Sequence, residues 1–440
     1  MSSGEEEEID TFKKESKIAE KRLKMAKDYL AKLGDDISKN KIQGGKDLDD
    51  DSEEGNSEID AEECDREILA SRIRHDVLQA KGKRFEKVAD EFSFEPDAFE
   101  MVSIRVHSQT PTCVAVTKDG SIAFTGSKAG DITKWDLNTG KKLYQIRPGL
   151  RTRTIKKTGI SLPKEKRPVG HTNHVTCIAV SFDGKFVASG SLDKTINIWD
   201  GESCKHLATF TQHRGSVTGL CFRYGTYQLY SSSSDRTVKI WSLDQLAYID
   251  TLFGHQDAVS SIHALANERC MTVGARDRTC RLWKIPEESQ LIFRSSEDAG
   301  GALETVQMLT EDYFVTGSDE GTLSIWSTTK KKPFSMIHKA HENSYEEESD
   351  FHPIISLASC PFTDFFASGS DDAELRFWKA SDDFKSIDSV GSIHIEGFIN
   401  GISFSDDGKA LVVAVGKDHR LGRWSVNKSV QNRIIIIRFK

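Results

Sequence analysis

His171, Ser189 and Asp193 supply an imidazole, a hydroxyl and a carboxylate, the groups that hydrolases combine to activate a nucleophile. The same trio recurs as His213, Ser231 and Asp235, and as His341, Ser368 and Asp372. Acyl transfer needs one such set in a cleft, beside an oxyanion hole. A set that recurs needs another explanation. Each acid is followed six residues later by a tryptophan, Trp199, Trp241 or Trp378. Trp Nε1 can donate to the hydroxyl, the hydroxyl can relay to His, and His can bridge to the carboxylate. The four side chains therefore predict a buried hydrogen-bond chain, repeated along the molecule, in which the trio is structural and not catalytic.

The elements that must position these chains follow from the period. Seven tryptophans stand at 135, 199, 241, 283, 326, 378 and 424, each closing a copy of one phrase. The phrase reads Ser191-Leu192-Asp193-Lys194-Thr195-Ile196-Asn197-Ile198-Trp199 in a well-formed copy. A polar turn reverses the chain, and a β-branched run alternates into the tryptophan strand. Repeats of about 40–45 residues, each a four-stranded blade, are the signature of a WD-repeat β-propeller. An acid sits six positions before the tryptophan in six copies: Asp193, Asp235, Asp277, Glu320, Asp372 and Asp418. The first copy has Ala129 there. A histidine precedes the tryptophan by 28 positions at His107, His171, His213 and His255. Counting back from Trp283 puts Val273 at the hydroxyl position of blade 4, and blade 5 lacks the histidine. Packing is expected to hold those two blades.

Composition narrows the class. The 440 residues carry a net charge of −8. Residues 1–98 hold 28 Asp and Glu against 18 Lys and Arg, while the remaining 342 hold 40 against 42. The acidity belongs to the N-terminal region, and a near-neutral propeller can still carry a basic patch. None of the eight cysteines forms Cys-x-x-Cys, so free thiols are expected rather than zinc or disulfides. No metal, cofactor or small-molecule substrate is expected. The opening Met-Ser-Ser-Gly-Glu-Glu-Glu-Glu is no signal peptide, and no apolar run reaches the length of a membrane span.

Residues 1–60 read as a charged, largely disordered tail with one amphipathic helix carrying Ala19, Leu23, Ala26, Leu30 and Leu33. Residues 61–98 read as a helical linker, and 99–440 as an all-β, seven-bladed propeller. Lys13-Lys14 with Lys21-Arg22, and Lys81-Gly82-Lys83-Arg84, fit nuclear import signals. Two segments compete for the outer strand of the last blade, Met101–Val106 and Arg433–Arg438, and both are expected to be strands.

Two insertions break the period. Arg147–Arg167 holds Arg147, Arg151, Arg153, Lys156, Lys157, Lys164, Lys166 and Arg167 against Glu165 alone, a composition suited to phosphate contacts. Glu342–His352 is acidic. Both should join the face that carries the turn acids and the loop histidines. On that face Lys128, Lys194, Arg236, Arg276, Arg278, Lys417, His419 and Arg420 form a basic arc. Asp319, Asp371 and Glu374 form an acidic one. Nucleic acid or an acidic protein is the predicted partner, at an electrostatic site on the basic arc beside the basic insertion.

Gly254-His255-Gln256-Asp257-Ala258-Val259, Gly274-Ala275-Arg276-Asp277-Arg278-Thr279 and Trp283-Lys284-Ile285-Pro286-Glu287-Glu288 resemble a blade and its exit in the U3 small nucleolar RNA-interacting proteins. The layout of charged tail, helical stretch and seven blades is similar too. This resemblance implies a nucleolar component of the U3 ribonucleoprotein and the small-subunit processome. It implies recognition of the box B/C element of U3 RNA together with a small kink-turn-binding protein, in support of 18S rRNA production. It makes Arg276 the leading RNA contact. The basic insertion has no counterpart in the resemblance. The competing reading is a protein-interaction propeller, such as a ubiquitin-ligase substrate receptor or a chromatin reader. Ligase receptors often carry Trp-Asp-x-Arg, whereas Trp135-Asp136 and Trp199-Asp200 continue as Leu137-Asn138 and Gly201-Glu202.

Overall fold

Strands buried on both faces need small or β-branched side chains, and strands at a rim can alternate. Phe186–Ser191 and Ile196–Asp200 are buried almost throughout, while the rim strand Ala247–Phe253 is mostly exposed. The computed structural model describes residues 85–440 apart from 93, 95–97, 106–108, 150–168, 296–300, 342–351, 423 and 440. The helical stretches and basic pairs read within 1–84 lie outside the described residues.

Seven four-stranded antiparallel sheets form a seven-bladed propeller. Blade 1 runs through Pro111–Val116, Ile122–Ser127, Ile132–Asp136 and Lys141–Ile146, from the central channel outward. Blades 2, 3, 4, 5 and 6 repeat the order from Val175, Val217, Val259, Leu303 and Ser356. Blade 7 takes Phe398–Phe404, Ala410–Gly416 and Arg433–Phe439 from the C-terminal end, and Phe99–Arg105 as its rim strand. Both competing segments are therefore strands, with Phe99–Arg105 outermost and paired to Arg433–Phe439 from Phe99↔Phe439 to Arg105↔Arg433.

Six of the seven innermost strand pairs share one irregularity, blade 6 being regular. Thr112, Thr176, Thr218, Ser260, Glu304 and Asn400 each sit in a bulge near the start of the inner strand. A bulge re-aims a side chain, and here it aims the hydroxyl at the next blade. Thr112 donates to Val175 O at 2.6 Å, Thr176 to Val217 O at 2.5 Å, Thr218 to Val259 O at 2.6 Å and Ser260 to Leu303 O at 2.7 Å. Ser356 donates to Ile399 O at 2.9 Å, and Asn400 closes the ring on Pro111 O at 3.0 Å. Blade 5 alone departs, with Glu304 at this position. Close blade stacking also fixes Gly190, where a Cβ would lie 2.6 Å from Val217 Cγ1.

The channel is closed at one end. Tyr224 reaches from blade 3 to Asp406 of blade 7, 2.8 Å away, and packs edge-on against Phe362 of blade 6. Arg420 enters from the other end, leaving a cavity of about 140 Å³. The segment before the propeller also belongs to its packing. Within the stretch read as helical linker, residues 85–94 carry one 3-10 turn at Ala89–Glu91. Phe92 stacks on Phe365, and Phe94 packs at a tilt against Phe377, each at 4.6 Å. Val88 and Ala89 N–H groups donate to Asp364 Oδ1 at 2.9 and 3.1 Å.

Candidate nucleic-acid interface

Among the described residues, four blades hold the complete hydrogen-bond chain. In blade 2, Trp199 Nε1 donates to Ser189 Oγ at 2.8 Å, His171 Nε2 lies 2.8 Å from that oxygen, and His171 Nδ1 lies 3.1 Å from Asp193. Blade 3 repeats this with Trp241, Ser231, His213 and Asp235 at 2.8, 2.8 and 3.0 Å. Blade 6 repeats it with Trp378, Ser368, His341 and Asp372 at 2.8, 2.7 and 2.8 Å. The serines and histidines are buried, so the trio offers no nucleophile to a substrate.

Blade 4 corrects the sequence reading. Thr272, not Val273, supplies the hydroxyl: Trp283 donates to it at 2.8 Å, and His255 bridges it at 2.8 Å to Asp277 at 2.9 Å. The turn between the second and third strands is one residue longer than in blade 3, so counting back ten from the tryptophan stops one residue short. Ala275 N bonds Ala258 O as Ser234 N bonds Ser216 O, which makes Arg276 the added residue. Blade 5 keeps the bond from Trp326 to Thr316 at 2.9 Å, but Glu320 is exposed and takes no part in a chain. In blade 1, Trp135 donates to Thr125 at 2.9 Å, and His107 lies outside the described residues.

The acids do more than end the chain. Asp193 also accepts from Thr172 N, Asp235 from Arg214 N and Asp277 from Gln256 N, which welds each turn to the neighbouring loop. Burial opposes ionisation of all three carboxyls, but hydrogen bonds from the histidine and its neighbours outweigh it. All three are held below the ordinary 3.8, Asp277 at about 2. The residue after each acid is thereby fixed in the left-handed backbone region. Lys194 has φ 72°, Arg236 69° and Arg278 51°. Blades 1 and 5 place Gly130 and Gly321 at the same point, and blade 6 places Ala373. A side chain there costs about 1 kcal/mol or more that glycine avoids. Three successive blades nonetheless project a long cation from it.

Lys194, Arg236, Arg276 and Arg278 are exposed and make no ion pair among the described residues. Two of the three acidic-arc residues differ, since Asp371 lies 2.9 Å from His352 and Glu374 lies 2.9 Å from Arg376, while Asp319 is exposed. Arg147 and Lys417 are also exposed. Gly149 N donates to His171 O, so the basic insertion leaves the described chain beside the blade 2 histidine, on this face. Arg151, Arg153, Lys156 and Lys157 lie outside the described residues.

Lys128 is not an exposed turn cation. It is 2 % exposed, and its ammonium meets Asp418 at 2.7 Å and donates to His419 O and Gly422 O. Thr110 also donates to Asp418. This lock anchors an excursion, residues 417–432, between the second and third strands of blade 7. Trp424 therefore closes no repeat. It is 71 % exposed on this excursion, against the His419 ring at 4.7 Å. Burial, then Arg420 and Lys128, lowers the His419 pKa to about 4, so that ring is neutral at pH 7. Ile437, paired with Leu411, fills the place that Trp241, paired with Leu229, fills in blade 3. The sequence signal was present: Asp418-His419-Arg420-Leu421-Gly422-Arg423 has no β-branched run, whereas Ile434–Ile437 has one. Arg420 is partly buried and faces Glu304 of blade 5 at 3.8 Å.

Comparison with known proteins agrees with this geometry. The family model for the WD domain, G-beta repeat, matches residues 164–200, 204–242, 247–284 and 345–379, the blades with complete chains. The chain is 44% identical over 425 residues to the U3 small nucleolar RNA-interacting protein 2 of Homo sapiens, spanning 96% of this chain and 82% of the relative. It is 29% identical to the ribosomal RNA-processing protein 9 of Saccharomyces cerevisiae, over 97% of this chain and 92% of that one. A solved structure of U3-55K superposes with a TM-score of 0.70 at 40% identity, covering 77% of this chain and 98% of its own.

Proposed function

The chain belongs to the family of U3 small nucleolar RNA-interacting protein 2, WD-repeat propellers related to a ribosomal RNA-processing protein, and on that premise we propose that it is a non-catalytic RNA- and protein-binding scaffold of the U3 ribonucleoprotein. It recognises U3 RNA at box B/C, together with a small kink-turn-binding protein, and supports pre-rRNA processing to 18S rRNA within the nucleolar small-subunit processome. The observation that carries the RNA reading is the row of exposed cations Lys194, Arg236 and Arg278, without an ion pair among the described residues and held in a backbone region that favours glycine, with Arg276 added beside them. Cations at fixed spacing suit a phosphate backbone, because each contact releases condensed counterions. Arg forks add bidentate geometry to the charge. A chromatin reader that threads a peptide through the channel is disfavoured, because Tyr224 and Phe362 close one end and Arg420 enters the other.

Crosslinking in cells, with sequencing of the bound RNA, tests the reading. Enrichment of U3 RNA around box B/C is expected, and background-level RNA would overturn it. In vitro, joint reversal of Arg236, Arg276 and Arg278 to Glu should lower affinity at least about tenfold. It should also flatten the salt dependence by about 0.7–0.9 for each phosphate that the variant no longer neutralises.

A further inference from the structure

Six blades use the girdle position for a bond to the next blade, and blade 5 places Glu304 there. This carboxylate takes up no such bond. Burial raises its pKa, and Arg420 opposes that rise. Its neighbour Arg420 arrives on the blade 7 excursion, whose position is fixed by the buried Lys128–Asp418 pair. At 3.8 Å the two groups sit side by side without a short hydrogen bond, and Arg420 Nε has no partner among the described residues. Glu304 and Arg420 both line a cavity of about 160 Å³. Leu192, Ala258, Val259, Ala275 and Leu421 supply its apolar walls. An apolar cavity near 150 Å³ accepts a benzene ring. Its rim is continuous with the basic arc, since Ala275 precedes Arg276 and Leu192 lies two residues before Lys194.

We propose that this cavity is a guanine-binding pocket. Guanine presents O6, N1–H and N2–H in a row along one edge, an acceptor beside two donors. Arg420 donates to O6, and Glu304 accepts from N1–H and N2–H, while the apolar walls cover the ring faces. Guanidinium recognition of guanine O6 is a common specific contact. Adenine places a donor where Arg420 needs an acceptor. Uracil matches O6 and N1–H but lacks the second donor. The base comes from an extruded residue of the RNA proposed above, so the inference rests on that reading for its source. A free guanine nucleotide shares the chemistry.

The test uses the full chain and its Glu304→Gln variant, with thermal melting to establish that the variant folds. Anisotropy measures binding of cytidine heptamers that carry a central guanosine, inosine, uridine or cytidine, and calorimetry measures binding of GMP against AMP. A guanosine preference of roughly tenfold over cytidine is expected, smaller for inosine and abolished in Glu304→Gln. GMP binding that is abolished in Glu304→Gln, without a preference among heptamers, assigns the same pocket to a free nucleotide. Equal affinity for every heptamer, with no GMP binding, overturns the pocket and leaves the RNA reading standing. Failure to bind any heptamer counts against the RNA reading, and the GMP titration then decides the pocket alone.

Discussion

Blade 3 and blade 7 reach the same four-stranded sheet by opposite means. Blade 3 is one continuous stretch of chain, closed by a hydrogen-bond chain from Trp241 through Ser231 and His213 to Asp235. Blade 7 joins two distant stretches of chain and has Ile437 where the tryptophan would be. Its acid, Asp418, turns away from its own blade and pairs with Lys128 of blade 1. One blade uses its polar groups within itself, and the other uses them on the seam that closes the ring. The difference shows why the repeat weakens there: a seam has to bond across blades, so its polar residues answer to the neighbour and not to the period.

Breaking the seam should have the largest effect. Lys128→Met removes the ammonium and leaves the Asp418 carboxylate, at 1 % exposure, to face an apolar side chain. Breaking a buried pair from one side costs about 3–5 kcal/mol, to be read by urea unfolding. Replacing both residues, as Lys128→Met with Asp418→Leu, should recover much of the loss. A single-variant loss below about 1 kcal/mol would show that the pair contributes no more than a surface one.

Within the blades, Ser231→Ala orphans both Trp241 Nε1 and His213 Nε2 and should cost about 1–3 kcal/mol. Thr316→Val in blade 5 orphans only Trp326 Nε1 and should cost about half as much. Equal losses would mean that the histidine and its acid add nothing to the tryptophan bond. Acid should separate the two kinds of blade as well. The folded pKa values of Asp193, Asp235 and Asp277 lie below the ordinary 3.8, so their contribution is present above about pH 4. It is lost as pH falls through the folded values, about 2 for Asp277. Melting temperature measured from pH 5 to 2 should therefore fall, and Asp277→Asn should flatten that fall while lowering the plateau.

The period through blade 6, the strands, three of the four complete chains and the exposed turn cations of blades 2 to 4 were legible because each depends on local spacing. Counting back from Trp283 failed by one residue, because a turn can lengthen without disturbing either strand. Thr272 lies next to Val273, and only the register decides between them. Lys128 looked exposed because a turn lysine ordinarily is, but its own turn is largely buried, and its partner is 290 residues away in sequence. The girdle and the closed channel were invisible for the same reason. Thr112, Thr176 and Thr218 are ordinary strand residues until a bulge turns them toward another blade.

The smallest effect should be the most telling about the repeat. Seven tryptophans occur, and six donate Nε1 to a hydroxyl at 2.8–2.9 Å. Trp424 stands outside this set, so Trp424→Ala should change unfolding free energy by no more than about 0.5 kcal/mol, as exposed substitutions do. Trp241→Ala, which empties a fully buried site stacked on Phe210 at 4.4 Å, should cost about 3–5 kcal/mol. The excursion is held by Lys128, Asp418 and Arg420, and the indole contributes packing on His419 and over Gly422. If Trp424→Ala costs as much as Trp241→Ala, the exposed ring is structural and blade 7 is closer to blade 3 than its register implies. If stability holds while RNA affinity falls, the seventh tryptophan has left the fold for the binding face.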